Sequence, residues 1–159
     1  MAGAESISFD ETAFRKECLS DGITHISTGV AVLRDKKVLL VRRASEDELG
    51  GIYEFPGGGV DDGETIIEGA ARELYEETGL TADNVICRFR GFDYKTSRKP
   101  HVRQVNMCVT VLPAVVKLNP SEHDNYVWVD RNEGRQYLSG DPHMLASFED
   151  LFKELSGDK

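Results

Sequence analysis

Residues 58–80 read GGVDDGETIIEGAARELYEETGL, and this stretch decides how the rest of the chain is read. Within it, the spacing predicts a helix over 66–78. Glu73 then shares a face with Glu76 and Glu77, at i+3 and i+4. Ile67, Ala70, Ala71, Leu74 and Thr78 fall on a small, apolar stripe elsewhere on the helix. One side is thus expected in the core, while the other gathers three like charges. Such charges at this spacing destabilise a helix unless something offsets them. A hard divalent cation with oxygen ligands is the natural counter-charge. Gly57, Gly58 and Gly59 precede the helix, where the backbone must turn or approach a ligand closely, and Gly79 stands where a left-handed cap belongs.

The residues match a longer pattern. Gly58, five residues, Glu64, seven residues, then Arg72-Glu73-Leu74-x-Glu76-Glu77-x-Gly79-Leu80 resembles the box of the Nudix (MutT-like) hydrolases, with no position departing. Seven fixed letters and two aliphatic ones occur by chance at on the order of 10⁻¹⁰ per start site. The resemblance covers about residues 23–155. It implies an α/β fold, an α/β/α sandwich with a mixed central sheet. The bare order of elements, strands on either side of one helix and then a terminal helix, suggests the same layers.

Outward from the box, residues 1–22 read as an N-terminal extension and 23–156 as a single domain. Glu11 to Leu19 forms a short helix anchored by Phe14 and Leu19 and stopped at Asp21-Gly22. Ile23 to Leu33 is a strand, Asp35 to Lys37 a turn, and Val38 to Val41 its hairpin partner. Ala44 to Gly51 is a loop, and Ile52 to Phe55 a short extended piece. After the box, Val85 to Tyr94 is a strand with Val85, Cys87 and Phe89 on one face. A basic loop follows, then a β-rich run from Val102 that breaks near Pro113. Lys117 to Asn125 is a loop and Tyr126 to Val129 a strand. Asp141 caps a final helix that starts at Pro142, with Leu145, Phe148, Leu151, Phe152 and Leu155 inward.

The net charge of −9 excludes an electrostatic grip on DNA or RNA chains. It leaves room for a small phosphorylated substrate, because bound metal inverts an acidic site locally. No apolar run has the length of a membrane span. The first residues lack the charged-then-apolar order of a secretory signal. Cys18, Cys87 and Cys108 are widely spaced and form no CxxC pair, so reduced thiols in a cytoplasmic protein are expected.

Splitting a phosphoanhydride requires phosphate charge to be offset and a water to be made nucleophilic, which metal ions do. Glu73, Glu76 and Glu77 beside the Gly57 carbonyl suit Mg²⁺, with Mn²⁺ as a compatible ion. They do not suit Zn²⁺, since no His or Cys lies inside the cluster. The resemblance implies that Glu77 is the main ligand and that Glu73 and Glu76 complete the catalytic site, one glutamate acting as base. It implies a fourth carboxylate from a later loop. Glu122, six residues before Trp128, fits best, with Asp124 as competitor. Glu64 and Arg72 read as an ion pair holding the loop. Arg43, Glu54 and Gly58 are expected to meet substrate. Arg103, Asn106 and Trp128 are weaker pocket candidates. Phe55 reads as core, His101 and His123 as bystanders in loops, and Lys95, Arg98 and Lys99 as a solvated turn.

The expected activity is Mg²⁺-dependent cleavage of a nucleoside diphosphate linked to another group, above all a nucleoside triphosphate and, in the MutT manner, an oxidised one. The alternatives are hydrolysis of ADP-ribose, a dinucleoside polyphosphate or a nucleotide sugar, or a non-catalytic nucleotide-binding domain. A homodimer is compatible with the sequence.

Overall fold

The computed structural model describes residues 9–45 and 50–157. In chain order the elements are α1 (Glu11–Ser20), β1 (His25–Arg34), β2 (Lys37–Arg43), β3 (Tyr53–Glu54), α2 (Ile66–Thr78), β4 (Ala82–Tyr94), β5 (Val102–Val111), β6 (His123–Val129), α3 (Arg131–Tyr137) and α4 (Pro142–Ser156). Helices cover both faces of a mixed sheet. β1 pairs with β5 in parallel, and β5 with β4 antiparallel. β2 meets β1 only next to their turn, at Leu33–Val38 and Arg34–Lys37. It then turns away to pair with β3 and β6.

That divergence makes the site possible. It leaves one edge of β1 unpaired, and the glycine-rich loop occupies it. Val30 N–H donates to Pro56 O, Thr28 N–H to Gly58 O and Val60 N–H to Ile26 O, at 2.7–3.0 Å. The loop is therefore held as firmly as a strand, because its backbone groups are satisfied by β1.

Side chains alternate across the sheet with the expected period of two. Val30, Val32, Leu39 and Val41 join Ile66, Ala70 and Leu74 in a core under α2. Ala31, Val38 and Leu40 join Phe55, Phe148 and Leu151 in a second core under α4. In β4 the expected single face breaks. Val85 lies in the first core, whereas Cys87 and Phe89 lie with the second. A bulge between Val85 and Cys87 causes the switch. It also sets Cys87 directly opposite Cys108, so two widely spaced cysteines become neighbours, both free thiols.

α1 begins where expected, with Asp10 as its cap. Its anchors are Phe14 and Cys18; Leu19 is 78% exposed, contrary to expectation. The helix period carries Cys18 (i+4 from Phe14) onto the buried face and turns Leu19 outward. The Glu11 carboxylate accepts from Ile66 N–H at 2.7 Å, so α1 supports the start of α2. That start is also closed by a reciprocal Thr65–Glu68 cap, and Gly79 ends the helix in the left-handed conformation. α4 starts at Pro142 behind its Asp141 cap, as the sequence indicates. α3 is an addition to the expected elements, although Asp130 and Glu133 spell a reciprocal cap. β6 starts at His123, three residues earlier than expected. Part of the Ala44–Gly51 loop lies outside the described residues. No described helix is long and apolar enough to cross a membrane.

Candidate active site

The glycine loop, the end of α2, β3 and the start of β6 surround a cleft of about 340 Å³. Two glycines set its floor. Gly57 has φ 152°, and a Cβ there would lie 2.0 Å from Thr28 O. A Cβ at Gly58 would lie 2.6 Å from the Glu73 carboxyl carbon. Only glycine lets the loop pack on β1 while Glu73 and Glu77 close over it.

Glu77 is the unexpected feature of α2. It is not on a wet face: only 3% of it is exposed. The 117–123 loop folds over the end of the helix. Lys117 N–H donates to Thr78 O and Asn119 N–H to Glu77 O. Glu77's carboxylate accepts long bonds from Gly57 N–H, 3.3 and 3.5 Å to its two oxygens. Burial, and then the nearby charge of Glu54, push its pKa up to about 9. Burial also raises Glu73, against the pull of Arg72.

Across the cleft runs a chain of polar contacts. Arg43 Nη1 donates to Glu54 Oε1 at 2.9 Å. Glu54 Oε2 lies 2.9 Å from His123 Nε2, and His123 Nδ1 lies 3.5 Å from Glu77 Oε2. His123 is 4% exposed, on a strand. The bystander reading of it is thereby corrected: a histidine with carboxylates on both sides of its ring belongs to the site. Its adjacency to Glu122 was the available signal. Glu77, Glu122 and His123 offer donor atoms that all lie within 4.8 Å of one another.

Glu122 rather than Asp124 lines the cleft. Asp124 points the other way and accepts from Arg42 Nε at 2.7 Å. Along β6, alternation turns Asp124 to the face opposite His123, whereas Glu122 precedes the strand at the end of the loop. Lys99 reaches the rim, unlike the plain turn expected of it. Phe55 is in the second core, ring to edge with Phe89. Arg103 is taken by Asp93 and Asp21, and Trp128 packs against the first core under the Arg34 guanidinium. Neither lines the cleft.

Behind the cleft, Arg72 holds a second cluster. Its Nε and Nη2 donate to the two oxygens of Glu64 at 2.8 and 2.9 Å, the ion pair read from the sequence. Nη2 also donates to Gly59 O at 2.9 Å, which ties α2 to the loop. Nη1 donates to Glu73 at 3.0 Å and Glu76 at 3.1 Å. The guanidinium holds Glu64 down to about pKa 2. Glu76, with its side chain 55% exposed, turns to Arg72 and away from the cleft. The structure therefore brings Glu73, Glu77, Glu122, Arg43, Glu54, Gly57 and Gly58 to one cleft, with Glu76 at its back.

The cleft fits a divalent cation. A carboxyl lifted to about 9 by burial and neighbouring acids lacks a counter-charge. An orphaned buried ring nitrogen faces it. Both are what a metal would relieve.

A mixed sandwich with a carboxylate-bearing helix docked on a glycine loop defines a class, and comparison with known proteins names it. The NUDIX domain family model matches residues 23–151. The chain belongs to the Nudix family. It is similar to the CTP pyrophosphohydrolase of Escherichia coli, 31% identical over 120 residues that cover 72% of this chain and 84% of that one. It also resembles the 8-oxo-dGTP diphosphatase of Proteus vulgaris, 39% identical over 56 residues, 35% of this chain and 50% of that one. The chain spans half or less of the length of the first curated relatives it matches. The crystal structure of the MutT NUDIX hydrolase from Burkholderia pseudomallei superposes with a TM-score of 0.68 at 21% identity, covering 80% of this chain and 97% of that one. That likeness concerns the fold.

Proposed function

We propose that this chain is a Mg²⁺-dependent hydrolase that cleaves a phosphoanhydride bond in a nucleoside diphosphate linked to another group, with a nucleoside triphosphate, including an oxidised one, as substrate. The carrying observation is the convergence of the Glu73, Glu77 and Glu122 carboxylates on one cleft rimmed by Arg43 and Lys99. The relatives named for 8-oxo-dGTP and CTP support a nucleotide as the substrate class.

Glu77, Glu73 and Glu122 hold the cation in this reading, with the Gly57 carbonyl and Glu76 joining once Glu76 leaves Arg72. The ion, when bound, offsets phosphate charge and lowers the pKa of water. A carboxylate of this set takes the proton of the attacking water. Arg43, fixed by Glu54, and Lys99 meet phosphate oxygens from the opposite rim. Gly58 gives the phosphate chain room beside Glu73. Glu64 and Arg72 keep the loop in register. With three free cysteines, the setting is the cytoplasm.

The test is phosphate release from dNTPs, oxidised dGTP, ADP-ribose, diadenosine polyphosphates and nucleotide sugars, each with Mg²⁺, Mn²⁺ or EDTA. Metal-dependent turnover of a nucleoside triphosphate, abolished by Glu77→Gln, is expected. Turnover confined to another member of the panel would replace the substrate. Tight binding without turnover would make this a nucleotide-binding domain.

A further inference from the structure

Resting on the reading of this cleft as a metal site, we propose that His123 is itself a metal ligand, binding through Nδ1, so that the site joins one ring nitrogen to the carboxylates of Glu77 and Glu122 and favours a transition ion such as Mn²⁺ over Mg²⁺.

The far side of the ring fixes its tautomer. Nε2 lies 2.9 Å from Glu54 Oε2, and the other Glu54 oxygen accepts from Arg43 at 2.9 Å. A carboxylate held by an arginine only accepts, so Nε2 carries the hydrogen. In the neutral ring, Nδ1 then bears a lone pair. That atom is buried and has no hydrogen-bond partner among the described residues. It points at Glu77 Oε2 across 3.5 Å, beyond the length of a hydrogen bond in either direction. Buried polar atoms are almost always satisfied, so an unpaired ring nitrogen in this corner calls for a partner. Two donors on one cation stand about 3 Å or more apart, since each lies about 2.0–2.2 Å from the ion. The 3.5 Å gap and the 4.8 Å limit over Glu77, Glu122 and His123 suit shared coordination.

The remote contacts complete the pattern. A metal-bound histidine almost always donates its other N–H to a carboxylate, a backbone carbonyl or water, which fixes the tautomer and the ring plane. Glu54 accepts it here and is itself fixed by Arg43. Mg²⁺ is held almost wholly by oxygen, whereas imidazole suits transition ions. A histidine outside the Glu-rich helix therefore alters which ion this site prefers.

Two measurements with Mn²⁺ and Mg²⁺ alone, without nucleotide, test this. Pulsed electron spin resonance of the Mn²⁺-loaded chain should show coupling to an imidazole nitrogen, and this should change on ¹⁵N-histidine labelling. It should persist when His25, His101 and His143 are all replaced by Gln, and vanish in His123→Gln. Calorimetric titration should show His123→Gln losing about tenfold or more in Mn²⁺ affinity, with a smaller loss for Mg²⁺. The triple variant keeps the test decisive where His123→Gln fails to fold. Mn²⁺ binding that Glu77→Gln abolishes but that shows no nitrogen coupling overturns the role of His123 and leaves the carboxylate site standing. Absence of any binding sensitive to Glu77→Gln overturns both readings.

Discussion

Arg72 and Glu77 lie five positions apart on α2, and their charges are met in opposite ways. Around Arg72, the carboxylates of Glu64, Glu73 and Glu76 and the Gly59 carbonyl take up the guanidinium's hydrogens at 2.8–3.1 Å. Around Glu77 the acidic neighbours Glu54, Glu73 and Glu122 are all of its own sign, and against them stand long bonds from the Gly57 N–H. The first corner is compensated within the chain and the second is not. A carboxyl pushed up to about 9 by burial and neighbouring acids in a cleft is a strongly perturbed group, so the second corner points to function. Substitutions on the two sides should then separate activity from stability.

The largest effect belongs to the uncompensated corner. Glu77→Gln keeps the shape and removes the charge. We expect kcat to fall by about 10²–10³-fold or more, as when a group that acts on the transition state is lost. The urea midpoint of the metal-free chain should stay level or rise, because a neutral amide needs no counter-charge in a buried position. Near wild-type turnover would remove Glu77 from the mechanism. A large loss of stability would reassign it to structure.

Arg72→Ala strikes the compensated corner and should do the reverse. It leaves Glu64 and Glu73 without their cation and Gly59 O without its donor. The cost should be about 3 kcal/mol, the low end for breaking a largely buried pair, since 27% of the Arg72 side chain is exposed. Urea unfolding measures it. A stability unchanged by Arg72→Ala would erase the distinction between the two corners.

How far these corners were legible in the sequence differs in the same way. The compensated one follows from local spacing. Glu64 and Arg72 meet because eight residues of loop and helix return on themselves, and the limits of α2 follow from Thr65, Glu68 and Gly79. The layers followed from element order and family resemblance. The uncompensated corner depends on chain segments far apart in sequence. His123 meets Glu54 and Glu77 only because β2 leaves β1 to pair with β3 and β6, and no period in the sequence encodes that turn. The burial of Glu77 likewise comes from the 117–123 loop folding over the helix end. In β4, one bulged residue between Val85 and Cys87 reverses the faces of Cys87 and Phe89, which a simple alternation misreads.

Glu76 sits between the two corners. The family pattern groups it with Glu73 and Glu77, while its carboxylate is on Arg72 and mostly exposed. It must release Arg72 to join a cation. Glu76→Gln should therefore lower kcat less than Glu77→Gln, by about 10–100-fold, the range for groups that support a metal from further out. Steady-state rates at saturating Mg²⁺ compare the two. A loss equal to that of Glu77→Gln would mean that the cation draws Glu76 fully into the cleft.

The smallest effects are in acid, and they compare Arg72's partner with a second compensated carboxylate on the opposite face. Glu64 and Glu149 are both held down to about pKa 2, by Arg72 and by Arg135 with Arg131. Each pKa is lower in the folded chain than in the unfolded one. Each carboxylate therefore contributes stability above about pH 4.5, and that contribution is lost as the pH falls toward 2. Wild type should be more stable than Glu64→Gln or Glu149→Gln at pH 7, and the gaps should close as the pH falls through this window. The side chains of Arg131 and Arg135 are 46% and 45% exposed, against 27% for Arg72. Solvent and salt screen the Glu149 pair more, so its gap should be under about 1 kcal/mol and should vanish near 1 M salt. The Glu64 gap should be larger and survive salt, because its guanidinium is less exposed and also fixes the loop through Gly59 O. Equal gaps with equal salt dependence would make Glu64–Arg72 an ordinary surface pair and leave the glycine loop held by β1 alone.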